Sequence, residues 1–232
     1  MAILRYNSRD AVWWMLQAIQ DYVNMAPSGL SLLSERLLRR FPADDQWISW
    51  DDPRAYTDTS TLADIIQEIL QRHASGITFR EHNAGGDRHQ LMKDNGLNVN
   101  IYVDWNTGFV FGGNGDNCGT WMDEIGESVK VGPQGIPGTP RDGAAVEIIG
   151  LVKSTVRWLD KLSTEGKFSH QGVVASGECN NALLTHILHG LRVLTVDDKE
   201  TFVTYRHWND LIQKSFGRYF HVPLGNVCIN LW

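Results

Sequence analysis

The stretch Asp142–Leu162, DGAAVEIIGLVKSTVRWLDKL, decides the fold class. Its apolar positions Ala145, Ile149, Val152, Val156 and Leu159 step by 4-3-4-3, which places them on one face of an α-helix. Asp142 stands ahead of the run as its predicted N-cap, where a short carboxylate can accept from the first unpaired backbone N–H groups. The same step recurs near the start of the chain at Val12, Leu16, Ile19 and Val23. Asn7 with Asp10 resembles a capping box there, and Pro27-Ser28-Gly29 stops the helix. A short helix is predicted over Leu30–Phe41. Thr61 and Asp64 cap another that carries Leu62, Ile66 and Ile69, and a further helix is predicted over 206–220. Between these, 97–103 (LNVNIYV) alternates polar and apolar, Asp104–Gly108 turns, and Phe109–Phe111 returns, which predicts a small hairpin. Residues 42–60 read as a long polar loop and 112–119 as a glycine-rich one. GPQGIPGTP (132–140) has too few triplets for a collagen helix and is predicted to be an ordered loop. Helices joined by long, aromatic-rich loops suit an α-barrel whose loops build a cleft.

Bulk properties narrow the function. The 232 residues carry a formal net charge of −6, and the sequence pI is about 5.7. The one basic cluster is Arg36, Arg39 and Arg40, which argues against a nucleic-acid footprint. Cys118, Cys179 and Cys228 are too widely spaced for a disulfide framework, which points to a reducing, cytoplasmic compartment. Neither a signal peptide nor an apolar run long enough to span a membrane is found. His186 and His189 lack a third partner at metal-ligand spacing, so no metal site is expected. P-loop, GxSxG and CxxC motifs are also missing. Nine tryptophans is a high count, and it suits either a large core or flat faces for stacking on sugars.

NCGTWMDEIGES (117–128) puts an indole two residues before an acid pair. Glycoside hydrolysis needs a carboxylic acid to protonate the leaving oxygen, and a neighbouring ring raises such an acid's pKa by excluding water. A solvated loop with an incidental tryptophan is the plain alternative. Trp13 and Trp14 follow Arg9-Asp10 and point about 100° apart on a helix, so both cannot centre on one buried face. One of them is free to line a pocket. FREHNAG (79–85) crowds polar groups on a predicted loop, suited to sugar hydroxyls or simply to solvent.

Four blocks in order, RYNSRDAVWWMLQAIQDY (5–22), GITFREHNAG (76–85), TGFVFGGNGDNCGTWMDEIGES (107–128) and GIPGTPRDGAAVEIIGLVKSTVRWL (135–159), resemble the glycogen debranching enzyme family. The likeness is to its C-terminal amylo-α-1,6-glucosidase region, and a weaker fifth block is YRHWNDLIQKSFGRYFHV (205–222). The resemblance implies a mainly α fold, a partial (α/α)6 barrel of the glucoamylase-like type with a small β-hairpin and long loops. It implies an inverting glycoside hydrolase that removes α-1,6-linked glucose stubs from glycogen or limit dextrin, without metal or cofactor. Asp123 is the implied general acid. Arg9, Asp10, Trp14, Arg80, Glu81, Asn83, Asn117, Trp121, Arg141 and Asp142 are the implied sugar contacts.

Departures from the family pattern shape the expectation. The family's general base resembles a Glu in a HQGPEW-type motif, and no such motif occurs in this chain. A CWGRD-type segment and the 4-α-glucanotransferase part are also absent. Residues 175–194 (ASGECNNALLTHILHGLRVL) read as an insertion and 223–232 (PLGNVCINLW) as an atypical tail, as translated intron or a misplaced gene boundary would give. The expected organisation is a partial glucosidase domain over 1–168, an atypical insertion over 169–204, and a further helix of the same domain with its tail over 205–232. Such a fragment would hold one of two catalytic carboxylates, would need the missing parts of its own barrel, and would be inactive alone. A non-catalytic glucan-binding module is the second expectation.

Overall fold

The computed structural model describes residues 8–40, 48–80, 91, 93–117, 119–120, 125–138, 142–176 and 200–220. Four α-helices are found among them: α1 (Ala11–Met25), α2 (Leu62–Ser75), α3 (Val146–Thr164) and α4 (Tyr205–Phe220). Three small antiparallel sheets accompany them. Strand β1 (Arg36–Leu38) pairs with β2 (Thr59–Thr61), β3 (Ile77–Arg80) with β4 (Asn98–Asp104) and β4 with β5 (Phe109–Gly112), and β6 (Gly172–Ser176) with β7 (Glu200–Thr204). The molecule is therefore a mixture of helices and small sheets.

Helix α3 is the centre. Ile149, Val152, Val156 and Leu159 are buried, as the 4-3 spacing requires, with Ile148 beside them, whereas Ala145 is half-buried at the N-cap. Its wide apolar arc packs against both α1 and α4. Trp13 and Leu16 of α1, Ile66 and Leu70 of α2, and Trp208 and Ile212 of α4 complete the same core. Helix α2 starts at a reciprocal capping box, in which Asp64 N–H donates to Thr61 Oγ1 and Thr61 N–H donates to the Asp64 carboxylate. The β4–β5 turn is held by its own aspartate, since the Asn106 N–H and the Thr107 hydroxyl both donate to the Asp104 carboxylate. Trp208 Nε1 donates to Gly108 O at 2.8 Å, so α4 is bolted to that turn.

Two expectations from the sequence are corrected. Leu30–Phe41 is no α-helix: Gly29–Ser34 is a 3-10 turn, Glu35 turns extended, and Arg36–Leu38 pair with Thr59–Thr61. A strand partner captures residues whose short helical run is too brief to hold alone. Asp142 is no N-cap either. Helix α3 begins at Val146 with Ala145 as its N-cap, because Gly143, at φ +86°, bridges to Gly112 and is unavailable to a helix.

The edge of β6 is closed by a helix rather than by a strand. Gln71 of α2 donates through Nε2 to Val174 O at 2.8 Å and accepts from Val174 N–H at 2.9 Å, while Gln67 Nε2 donates to Gly172 O at 3.0 Å. Side-chain amides thus meet the backbone groups that an open edge would expose. No helix among the described residues is long and apolar enough to cross a membrane.

Candidate active site

The start of α1 sits between two loops. Arg9 N–H donates to Gly119 O at 2.8 Å, joining the segment just before α1 to the end of the glycine-rich loop. Arg9 Nη1 donates to Gly143 O at 3.0 Å, joining it to the segment ahead of α3. Gly112 and Gly143 exchange backbone bonds of 3.2 and 2.8 Å, which ties the two loops to each other. Arg9 is only 4% exposed, and Asp10 beside it is fully buried.

The Asp10 carboxylate is well supplied with donors. Ser8 Oγ donates to Oδ1 at 2.8 Å and the Trp14 indole N–H to Oδ2 at 3.2 Å. This i, i+4 bond holds a ring that is 47% exposed. Trp13 is the inward one of the pair: it is fully buried and lies 4.7 Å from the His73 ring. Burial holds the His73 pKa below the usual range, with a partly opposing hydrogen bond between Nδ1 and Ile69 O.

The glycine-rich loop is pinned on its other side by amides. Asn117 is buried, donates through Nδ2 to Gly96 O at 3.1 Å, and accepts from Asn114 N–H through its oxygen. Asn114 Nδ2 donates to Asn95 O. Asn95 and Lys93 both donate to the Asp116 carboxylate, in that order of effect holding it below the usual carboxylate range. Arg80 reaches the same 94–98 turn, where its guanidinium pairs with Asp94 and donates to Asn98 Oδ1.

On the near side of the acid segment, Thr120 is buried and its hydroxyl has no partner among the described residues. On the far side, Ile125 bridges to Pro137 and packs on Leu97. The described residues flanking 121–124 are thus held by the Arg9–Gly119 bond before it and the Ile125–Pro137 bridge after it.

Among the residues expected from the sequence, Arg9, Asp10 and Trp14 gather at the start of α1, and Asn117 lies in the loop that Arg9 touches. Asp142 is exposed next to Gly143. Arg80 attaches one turn further away, through Asp94. Glu81, Asn83, Trp121, Asp123 and Arg141 lie outside the described residues. The sequence did not single out Ser8 or Gly96, and it marked 112–119 only as a glycine-rich loop, although the double glycine in FGGNGDNCG was a signal of close backbone approach.

The amylo-alpha-1,6-glucosidase family matches residues 3–230 of this chain. The chain belongs to that family. Within it, the glycogen debranching enzyme of Saccharomyces cerevisiae (strain ATCC 204508 / S288c) is 48% identical over 219 residues, which is 94% of this chain. The matched part is 13% of that yeast protein, so this chain spans a small share of the relative's length. The match takes in the start of α1, both loops and the whole of α3 and α4.

Proposed function

We propose that this chain carries the general-acid side of an amylo-α-1,6-glucosidase site, acting on α-1,6-linked glucose stubs of glycogen or limit dextrin in glycogen catabolism. The observation that carries the proposal is the joining of Arg9 to Gly119, at the end of the glycine-rich loop that leads into the acid segment, and to Gly143 ahead of α3, in a chain of this family. Asp123 protonates the glycosidic oxygen as the bond to the anomeric carbon breaks. A water activated by a second carboxylate attacks from the opposite face, which in inverting enzymes needs a carboxyl separation of about 6.5–9.5 Å. The HQGPEW-type motif expected to hold that base is not in this sequence. Trp14 and Trp121 offer flat faces to the glucose ring, with Asp142, Arg141, Arg80, Glu81 and Asn83 around its hydroxyls, while the buried Asn117, its amide already bonded to Gly96 O and Asn114 N–H, holds the loop. Helices α1 to α4 are then part of a glucoamylase-like (α/α)6 barrel, and the compartment is cytoplasmic.

Azide provides the test, because it attacks an anomeric carbon without a general base. Limit dextrin plus azide should yield glucosyl azide with the chain and none with Asp123→Asn. Equal product from both would overturn the role of Asp123. Calorimetry showing no binding of an α-1,6-branched oligosaccharide would overturn the whole assignment.

A further inference from the structure

Arg9 is among the sugar contacts that the family likeness implies, but the geometry points to a different role. We propose that Arg9 is a positioning residue, one that fixes the two active-site loops to each other and to α1. This rests on the proposed glucosidase site and specifies how that site is held.

The side chain lies in a notch made by a missing side chain. A Cβ on Gly112 would stand 2.8 Å from Arg9 Cδ and 3.0 Å from Nη1, so only glycine admits the guanidinium there. A third contact, at 3.0 Å from Asn100 O, leaves the strand no room to retreat. Across the notch, Gly143 O accepts from Arg9 Nη1 and from Gly112 N–H at once. A carbonyl oxygen has two lone pairs, and both are in use. The bond from Nη1 is charge-assisted, the stronger kind.

Three segments far apart in sequence therefore meet on one residue. Its backbone N–H holds Gly119, two positions before the 121–124 segment, and its guanidinium holds Gly143, directly after Asp142. At 4% exposure, the arginine is placed to act through these glycines. A misplacement of about 1 Å in catalytic groups costs on the order of 100-fold in rate, so a brace at this point bears on the chemistry.

The test uses Arg9→Ala, Arg9→Lys and Gly112→Ala in the full chain, with two readouts. The first is amide hydrogen exchange without ligand. Arg9→Ala and Gly112→Ala should speed exchange at the Gly112 and Gly143 amides by about tenfold or more, while α3 amides stay protected. The second is calorimetric affinity for an α-1,6-branched oligosaccharide, which should weaken about 10–100-fold in the same two variants. Arg9→Lys keeps a donor for Gly143 O and should recover part of both losses. Unchanged exchange in Arg9→Ala with weakened binding would make Arg9 a direct sugar contact and overturn the proposal. Faster exchange with unchanged affinity would overturn it too, because the brace would then not serve the site. If Arg9→Ala does not fold, the lysine and glycine variants still decide the matter. Failure of the unaltered chain to bind the oligosaccharide would count against the glucosidase assignment itself, whereas the exchange arm reports on the brace alone.

Discussion

Replacing Trp208 tests how α4 holds the hairpin that leads to the candidate site. The indole is fully buried, meets Trp105 edge-on at 5.1 Å, and donates to Gly108 O at 2.8 Å. Trp208→Ala empties that volume and leaves the Gly108 carbonyl unpaired. Removal of a buried Trp or Phe side chain to Ala costs about 3–5 kcal/mol. Trp208→Phe keeps most of the ring, so its cost is mainly the unpaired buried carbonyl, about 1–3 kcal/mol. For a chain of this size each kcal/mol lowers Tm by about 2–4 °C, which places the alanine variant about 6–20 °C below the parent. The phenylalanine variant should fall between the two. Urea unfolding followed by fluorescence, together with calorimetric scans, gives both numbers. A Trp208→Ala cost under about 0.5 kcal/mol, the size of an ordinary surface substitution, would refute the bolt between α4 and the turn. A phenylalanine variant as unstable as alanine would refute the division between ring volume and hydrogen bond.

Thr61→Ala removes half of the capping box of α2 and should cost about 1 kcal/mol in urea unfolding, without loss of far-ultraviolet helix signal. The buried His73 predicts a stability loss on mild acidification. Its folded pKa lies below the ordinary value, so the unfolded chain takes up the proton first as pH falls through about 6.5. That contribution is intact above pH 6.5 and declines below it. The depressed carboxylates of Asp64 and Glu68 lose theirs at lower pH still, and burial lowers the His207 pKa as well, so urea midpoints between pH 7.5 and about 5 should slope in the parent and slope less in His73→Phe. Trp14→Ala removes a ring that is half exposed, and should leave Tm nearly unchanged while weakening oligosaccharide binding by calorimetry. A fall in Tm of the size expected for Trp208→Ala would instead make Trp14 a core residue.

Local signals marked the helices well. The 4-3 steps of α1 and α3, the Thr61/Asp64 cap of α2 and the amphipathic run of α4 each lie within a few residues of chain, so the sequence displays them directly. The β4–β5 hairpin was legible for the same reason, because its alternation and its Asp104–Gly108 turn are contiguous. The other strands were not. β3 carries a half-buried Ile77 and three exposed residues, and pairs with β4 only after an excursion of 17 residues, 81–97, along the chain. β6 and β7 are joined only in space, and the amides that close their edge come from α2, about 100 positions away. Pairings of that kind are decided by which backbone groups find partners once the core forms, and no window of sequence contains both halves.

The candidate site divides in the same way. The sequence by itself determined the residue types: an acid beside an indole, an Arg-Asp pair ahead of a helix, and a glycine-rich loop. It also required that Trp13 and Trp14 face different ways, because helical geometry separates adjacent residues by about 100°. Only the tertiary structure decided that Trp13 goes inward against His73 while Trp14 stays in solvent on the Asp10 carboxylate. It alone moved the start of α3 from Asp142 to Val146, through the bridge between Gly112 and Gly143. It alone turned Arg9 from a residue near a motif into a brace between two loops, since a 3.0 Å bond to a carbonyl 134 positions away exists only once the chain has closed on itself.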